Sequence, residues 1–167
     1  VDGKDYLASS SFEYWSASGL AGVWAEENTR EAIYDAFRRK ETFATSGPRI
    51  RLRFFAGFGL QPELLQHPEL AALAYQQAVT MGSDLEGKGE QAPAFLVWAV
   101  ADPASTALQR VQIIKGFLRD GIHHELIHDV ACAGGLAVDA ASRRCPDNGA
   151  SVDLRDCSST GAGASEL

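Results

Sequence analysis

Residues 124 to 128 read His-Glu-Leu-Ile-His, which matches the H-E-x-x-H spacing of zinc metalloproteases. On a helix, two histidines four apart share one face about 6 Å from each other and reach the same zinc, while the glutamate between them serves as general base toward a metal-bound water. The local pattern allows that helix. Ile122, Leu126, Ile127, Val130 and Ala131 follow helical spacing, Asp120 can cap it and Gly134 can end it. The rest of the site is missing, because a catalytic zinc needs a third protein ligand held by its own hydrogen bonds and no histidine follows His128. Only scattered aspartates and Glu166 remain downstream. If the segment is instead the second arm of a hairpin turning at Arg119, Asp120 and Gly121, His124 and His128 stand roughly 13 Å apart along a strand and could hardly share a metal. The sequence therefore favours a coincidental match, with His124, Glu125 and His128 as strand residues and no metal held here. His123 and His67 take the same plain reading.

The elements that would position chemistry can be followed along the chain. Residues 1 to 19, with Tyr6, Phe12, Tyr14 and Trp15, lack periodicity and read as a loop. Leu20 to Trp24 reads as a short buried strand. Asn28 with Glu31 three residues on is a capping-box arrangement, so a helix is expected from Thr29 to about Lys40, with Ala32, Ile33, Ala36 and Phe37 as its buried stripe. Ser46, Gly47 and Pro48 then break the chain. From Arg49 to Phe54 basic and apolar residues alternate, which predicts a half-buried strand with Arg49, Arg51 and Arg53 on one face and Ile50, Leu52 and Phe54 on the other. A second, short helix is expected after Pro68 through Leu70, Leu73, Ala74 and Ala78. Phe95 to Val100 and Val111 to Leu118 read as strands buried on both faces, and the tail from Ser158 to Ser165 as a loop.

The totals bound the function classes. A chain of 167 residues, 46% hydrophobic, is long enough for one domain with a real core. The longest apolar stretch, Ala94 to Ala101, is far below the roughly 18 residues of a membrane helix. A net charge of -7 argues against a nucleic-acid partner, since phosphate binding needs concentrated Lys and Arg. Cys132, Cys145 and Cys157 are odd in number, so one stays unpaired; one disulfide in an exported protein and ordinary free thiols both fit. A start at Val1 and a stop at Leu167 without a closing apolar run lead to the expectation of a larger parent protein.

The stretch GLAGVWAEENTREAIYDAFRRKETFATSGPRIRLRFFAGF, residues 19 to 58, is far more specific than a five-residue motif. It resembles the domain of unknown function 3604 family, in the PHP (polymerase and histidinol phosphatase) superfamily of metallohydrolases. MGSDL at 81 to 85, APAFLVWAVADP at 92 to 103, QRVQIIKGF at 109 to 117, HDVA at 128 to 131, NGASVDL and GAGASEL resemble it in the same order. The chain departs from the family pattern at Phe43, where Tyr is expected, at Ser83, where a second Gly is common, and at His128, where an aromatic residue is usual.

The resemblance implies an α+β fold. Leu20 to Trp24 and the helix after it would be the last strand and closing helix of a PHP-like distorted barrel, ending near residue 48. Residues 49 to 167 would form a β-rich, sandwich-like C-terminal part with one further short helix. A β-rich part cut at its end is expected to leave an unpaired strand edge. The resemblance also implies upstream ligands for divalent zinc, manganese or iron and a small-molecule substrate, with the upstream barrel as this segment's partner and no cofactor of its own. On that architecture Trp24, Glu26, Glu27 and Asn28 lie on a strand-to-helix loop, where barrel enzymes place chemistry. Beside that stand plainer roles: packing for Trp24, a solvated carboxylate near a helix start for Glu26, and a cap for Asn28. Arg30 could clamp an anionic substrate, and Thr45, Ser46 and Gly47 could hold an anion through backbone N–H groups, against a surface arginine and a simple turn. The reading is a segment of a metal-dependent hydrolase of phosphoesters or related esters or amides, inactive alone. The alternatives are a non-catalytic β-rich accessory or interaction domain and, behind it, a zinc metalloprotease through HELIH at 124 to 128. The compartment stays open, with the cysteines and the resemblance leaning toward the periplasm over the cytoplasm.

Overall fold

The computed structural model describes residues 19–156 and 158–167; the expected loop at residues 1 to 18 and the thiol of Cys157 lie outside them. The described chain is a mixed α+β, β-rich structure of small antiparallel sheets with two α-helices. Strand β1 (Ala21–Val23) leads through a loop into helix α1 (Arg30–Arg38) and returns as β2 (Thr42–Ala44), antiparallel to β1. Strand β3 (Arg51–Gly57) follows, then a 3₁₀ turn at Pro62–Gln66, helix α2 (Leu70–Gln77) and the two-residue strand β4 (Val79–Thr80). Next come β5 (Ala94–Val100), the long pair β6 (Arg110–Arg119) and β7 (Ile122–Cys132), and the short pair β8 (Ser151–Val152) and β9 (Ser159–Thr160).

The alternation from Arg49 onward explains the centre of the molecule. Successive side chains of a strand point to opposite faces, and β3, paired with β4 on one side and β5 on the other, uses both of its faces. On one, Phe55 and Leu96 pack under Leu64 and Ala74, with Leu60, Leu70, Leu73 and Ala78 around them, so α2 covers this face. On the other, Ile50, Leu52, Val97 and Ala99 meet Leu108, Val111, Ala131 and Leu167 at the root of the β6–β7 pair. Phe55, 2% exposed, contributes about 2–3 kcal/mol through removal from water.

Several expectations change. The N-cap of α1 is Thr29, whose hydroxyl accepts from the Ala32 N–H at 3.3 Å, and Asn28 lies one residue outside. Threonine meets the same requirement as asparagine, and one step of register removes the capping box with Glu31. The stripe of α1 buries Ala36 fully, but Phe37 is 50% exposed. Strand β6 is not buried on both faces: only Val111 near its root is buried, while Ile114 and Leu118 are exposed, because β6 and β7 project as a two-stranded ribbon with no further strand on either edge among the described residues. Phe95 in β5 is also half exposed.

The ribbon turns through Asp120 and Gly121, whose φ values of +54° and +77° suit a two-residue hairpin turn with the right-handed twist of its arms. Beyond the ribbon, Cys132 and Cys145 form a disulfide at a sequence separation of 13 residues. The tail is not a free loop. Ala164 and Leu108 exchange two backbone hydrogen bonds, Leu167 and Ala99 exchange two more, and the Ala101 N–H donates to the Ser165 carbonyl. It therefore covers the edge of β5 and sets Leu167 in the second core cluster, while among the described residues the outer edges of the β6–β7 ribbon stay unpaired by any further strand.

Candidate functional site

Trp24 closes β1 and is fixed from three sides. Its backbone N–H donates to the Glu41 carbonyl at 3.0 Å, its indole N–H donates to the Leu52 carbonyl at 2.8 Å, and its ring packs against Phe43 at 5.7 Å. Phe43 pairs with Gly22 across the β1–β2 ladder, and its ring occupies the space that a Cβ at Gly22 would need, so glycine permits the close approach. These contacts join residues 24 to 43 to β3, across the boundary expected near residue 48.

On the α2 side of β3, the Arg53 guanidinium lies 3.7 Å from the centroid of Trp24 and 5.7 Å from that of Tyr75. It donates to the Tyr75 hydroxyl at 3.1 Å, and Tyr75 donates in turn to Glu41 at 2.8 Å. The other oxygen of Glu41 accepts from Arg39 at 2.9 Å. Glu41 is only 6% exposed, so its charge is held by a tyrosine and an arginine rather than by water. Loss of hydration, followed by the bond to Glu41, pushes the Tyr75 hydroxyl above its ordinary value.

Trp24 and Arg53 from this chain of contacts line a cleft of about 310 Å³, together with Arg51, Ala71, Trp98 and Val100. The Trp98 indole N–H is hydrogen-bonded to Glu166 on the tail. Among the described residues no carboxylate lies within 4 Å of the Arg51 or Arg53 guanidinium. Among the described residues the lining has no histidine, cysteine or carboxylate, so the chemistry these residues offer is that of binding: positive charge and aromatic faces that suit an anion. A larger cleft of about 490 Å³ between β5 and the ribbon is lined by apolar side chains such as Leu60, Leu65, Phe95 and Ile113, with no charged side chain among the described residues.

The residues expected on the strand-to-helix loop are placed there. Trp24 turns inward, whereas Glu26, Glu27, Asn28 and Arg30 are exposed. Ser46 is exposed too, and the Thr45 hydroxyl is occupied by the Leu20 N–H at 3.0 Å.

The HELIH residues lie on β7 and not on a helix. His124 stacks on Phe117 of β6 at 5.1 Å, His128 sits opposite Ile113, Leu126 separates the two histidines, and Glu125 opposes Gly116 on the other face. The two histidines are thus about 13 Å apart by strand geometry. Among the described residues no three His, Cys, Asp or Glu side chains converge as a metal site.

Sequence reasoning missed Arg51, Arg53, Tyr75, Glu41 and Trp98. The alternating arginines were the available signal; what they face depends on α2 and Trp24, which are remote in sequence. It also missed the role of Asp129, which is 5% exposed at the ribbon root and accepts from the Cys145 N–H at 2.7 Å, from Gln112 at 2.6 Å and from Arg144 at 3.3 Å. The Cys145 N–H, then Gln112, hold its carboxyl below the ordinary carboxylate value.

Comparison with curated proteins and with solved structures gives no match. A family model, described as a protein of unknown function (DUF3604), matches residues 2–167. With nearly the whole length matched, from the strand-to-helix loop to the tail that seals β5, the chain belongs to the DUF3604 family.

Proposed function

We propose that this chain is the C-terminal supporting part of a PHP-like metal-dependent hydrolase that cleaves phosphoesters or related esters or amides. The observation that carries the reading is the anchoring of the loop between β1 and α1. Trp24 is pinned to Leu52, Glu41 and Arg53, so the exposed carboxylates Glu26 and Glu27 are presented from a fixed base. Ends of strands that lead into helices are where barrel enzymes keep their chemistry. Family membership supports the reading, and the superfamily link is carried by resemblance alone.

The described residues do not fit a zinc, manganese or iron centre, because no suitable donor set converges among them. In this proposal the metal ions are held by residues upstream, and the present residues orient and bind. Glu26 faces the reacting centre, and Arg30 draws in an anionic substrate group. The test is hydrolysis of 4-nitrophenyl phosphate and of 4-nitrophenyl esters by the protein carrying its upstream barrel, with zinc, manganese or iron and with EDTA. Metal-dependent turnover, lowered about tenfold or more by Glu26→Gln without change in melting temperature, is the expected result. Absence of turnover with every metal and substrate sinks it. The 167-residue chain alone is expected to carry no stoichiometric metal by elemental analysis, and His124→Ala to change nothing there.

A second reading, a non-catalytic interaction domain, is favoured by the β6–β7 ribbon, which exposes Ile114, Leu118 and Ile122.

A further inference from the structure

We propose that the cleft between Trp24 and Trp98 is a binding site for a small organic anion in which a planar ring carries a phosphate-, phosphonate-, sulfate- or sulfonate-type group. The inference stands apart from the hydrolase reading, since it needs neither metal nor upstream residues.

Arg51 and Arg53 are two residues apart on β3, so their side chains leave the same face roughly 7 Å apart, a spacing from which two guanidinium groups can converge on one tetrahedral anion. Neither has a carboxylate within 4 Å among the described residues, on a chain of net charge -7 in which acidic partners are plentiful. Arg53 is held in place by the Trp24 face and the Tyr75 hydroxyl, so little freedom remains to be lost on binding. Arg51 is exposed and reaches the mouth of the cleft.

The indoles supply the walls for a ring. Trp98 is paired with Arg53 across β3 and β5 and is fixed by its bond to Glu166, while Trp24 is fixed by its bond to Leu52. Charge across the sheet gives the ligand a direction. At one level the order is Arg51, Val100, Glu166, which places the cation and the carboxylate on opposite sides, about 10 Å apart by strand spacing. The anionic group belongs on the β3 side and the uncharged ring against Trp98. A volume of about 310 Å³ is at the lower end of ligand sites, which admits one ring with its anionic group and excludes a dinucleotide.

The full 167-residue chain is titrated with phenylphosphonate, methylphosphonate, benzyl alcohol and inorganic phosphate, in EDTA, by tryptophan fluorescence and by calorimetry. Phenylphosphonate is expected to saturate and to quench tryptophan emission, with the other three at least about tenfold weaker, and added salt is expected to weaken it. Arg51→Gln, at an exposed position, is expected to weaken phenylphosphonate about tenfold or more with an unchanged melting temperature. Trp98→Phe, which keeps a ring surface but removes the indole N–H, is expected to lower the quench and the affinity while Arg51 remains. The proposal is overturned if phenylphosphonate fails to saturate by about 10 mM, if methylphosphonate or inorganic phosphate binds as well, or if Arg51→Gln binds like the parent chain. Saturation that appears only when a divalent metal replaces EDTA overturns it as well, and would point to the hydrolase centre instead.

Discussion

Two residues show how differently a charge can be held in this chain. Arg53 keeps its charge against aromatic faces and one hydroxyl, so Trp24→Phe, which removes both the better π-face and the bond to Leu52, is expected to lower stability by about 1–2 kcal/mol in denaturant unfolding. Asp129 is held by donors. Its carboxyl lies below the ordinary value because the Cys145 N–H and the Gln112 amide prefer the charged form. A lowered native value means that the stabilisation is complete above the unfolded value near 3.8 and is lost as pH falls below that through the native value. Asp129→Asn should therefore melt several degrees lower than the parent at pH 7, and the gap should narrow in melts carried toward pH 3. An equal gap at both pH values would show that the charge is not what matters there.

Among the elements, α1 offers a sharp comparison, because the capping residue shifted by one from the expected position. Thr29→Ala should cost about 1 kcal/mol, while Asn28→Ala should be within a few tenths, both read from thermal or denaturant unfolding. The reverse order would restore Asn28 as the cap. Strands β3, β5 and β6 were legible in the sequence, since alternation, β-branched runs and the Asp120–Gly121 turn are local signals, whereas the β7 segment fitted helical spacing as well. Their environment was not. An apolar run such as Val111 to Leu118 gives the same pattern whether a strand is enclosed or projects as a ribbon, and here it projects, with Leu118 73% exposed.

At the scale of the whole molecule, two distant closures hold the β-rich part together. The tail seals β5 and places Leu167 against the cluster of Ala99, Leu108 and Val111, so removal of Ser165 to Leu167 should both lower the melting temperature and raise light scattering, by exposing a strand edge. The Cys132–Cys145 bridge closes a loop of 13 residues, for which constraint of the unfolded chain gives about 3 kcal/mol; Cys132→Ser or reduction should show a loss of that order in denaturant unfolding.

The sequence by itself determined the α+β character, the short helices, the hairpin turn and the family, because each rests on local periodicity, turn chemistry or ordered motifs. It also made plain that no histidine follows HELIH as a third ligand. Only the tertiary structure decided that those residues form a strand, which cysteines pair, and what the arginines of β3 face. The physical reason is the same in each case. A side chain's partners are chosen by packing between segments remote in sequence: Trp24 meets Arg53, Arg53 meets Tyr75, and Trp98 meets Glu166. No window of neighbouring residues contains those pairs.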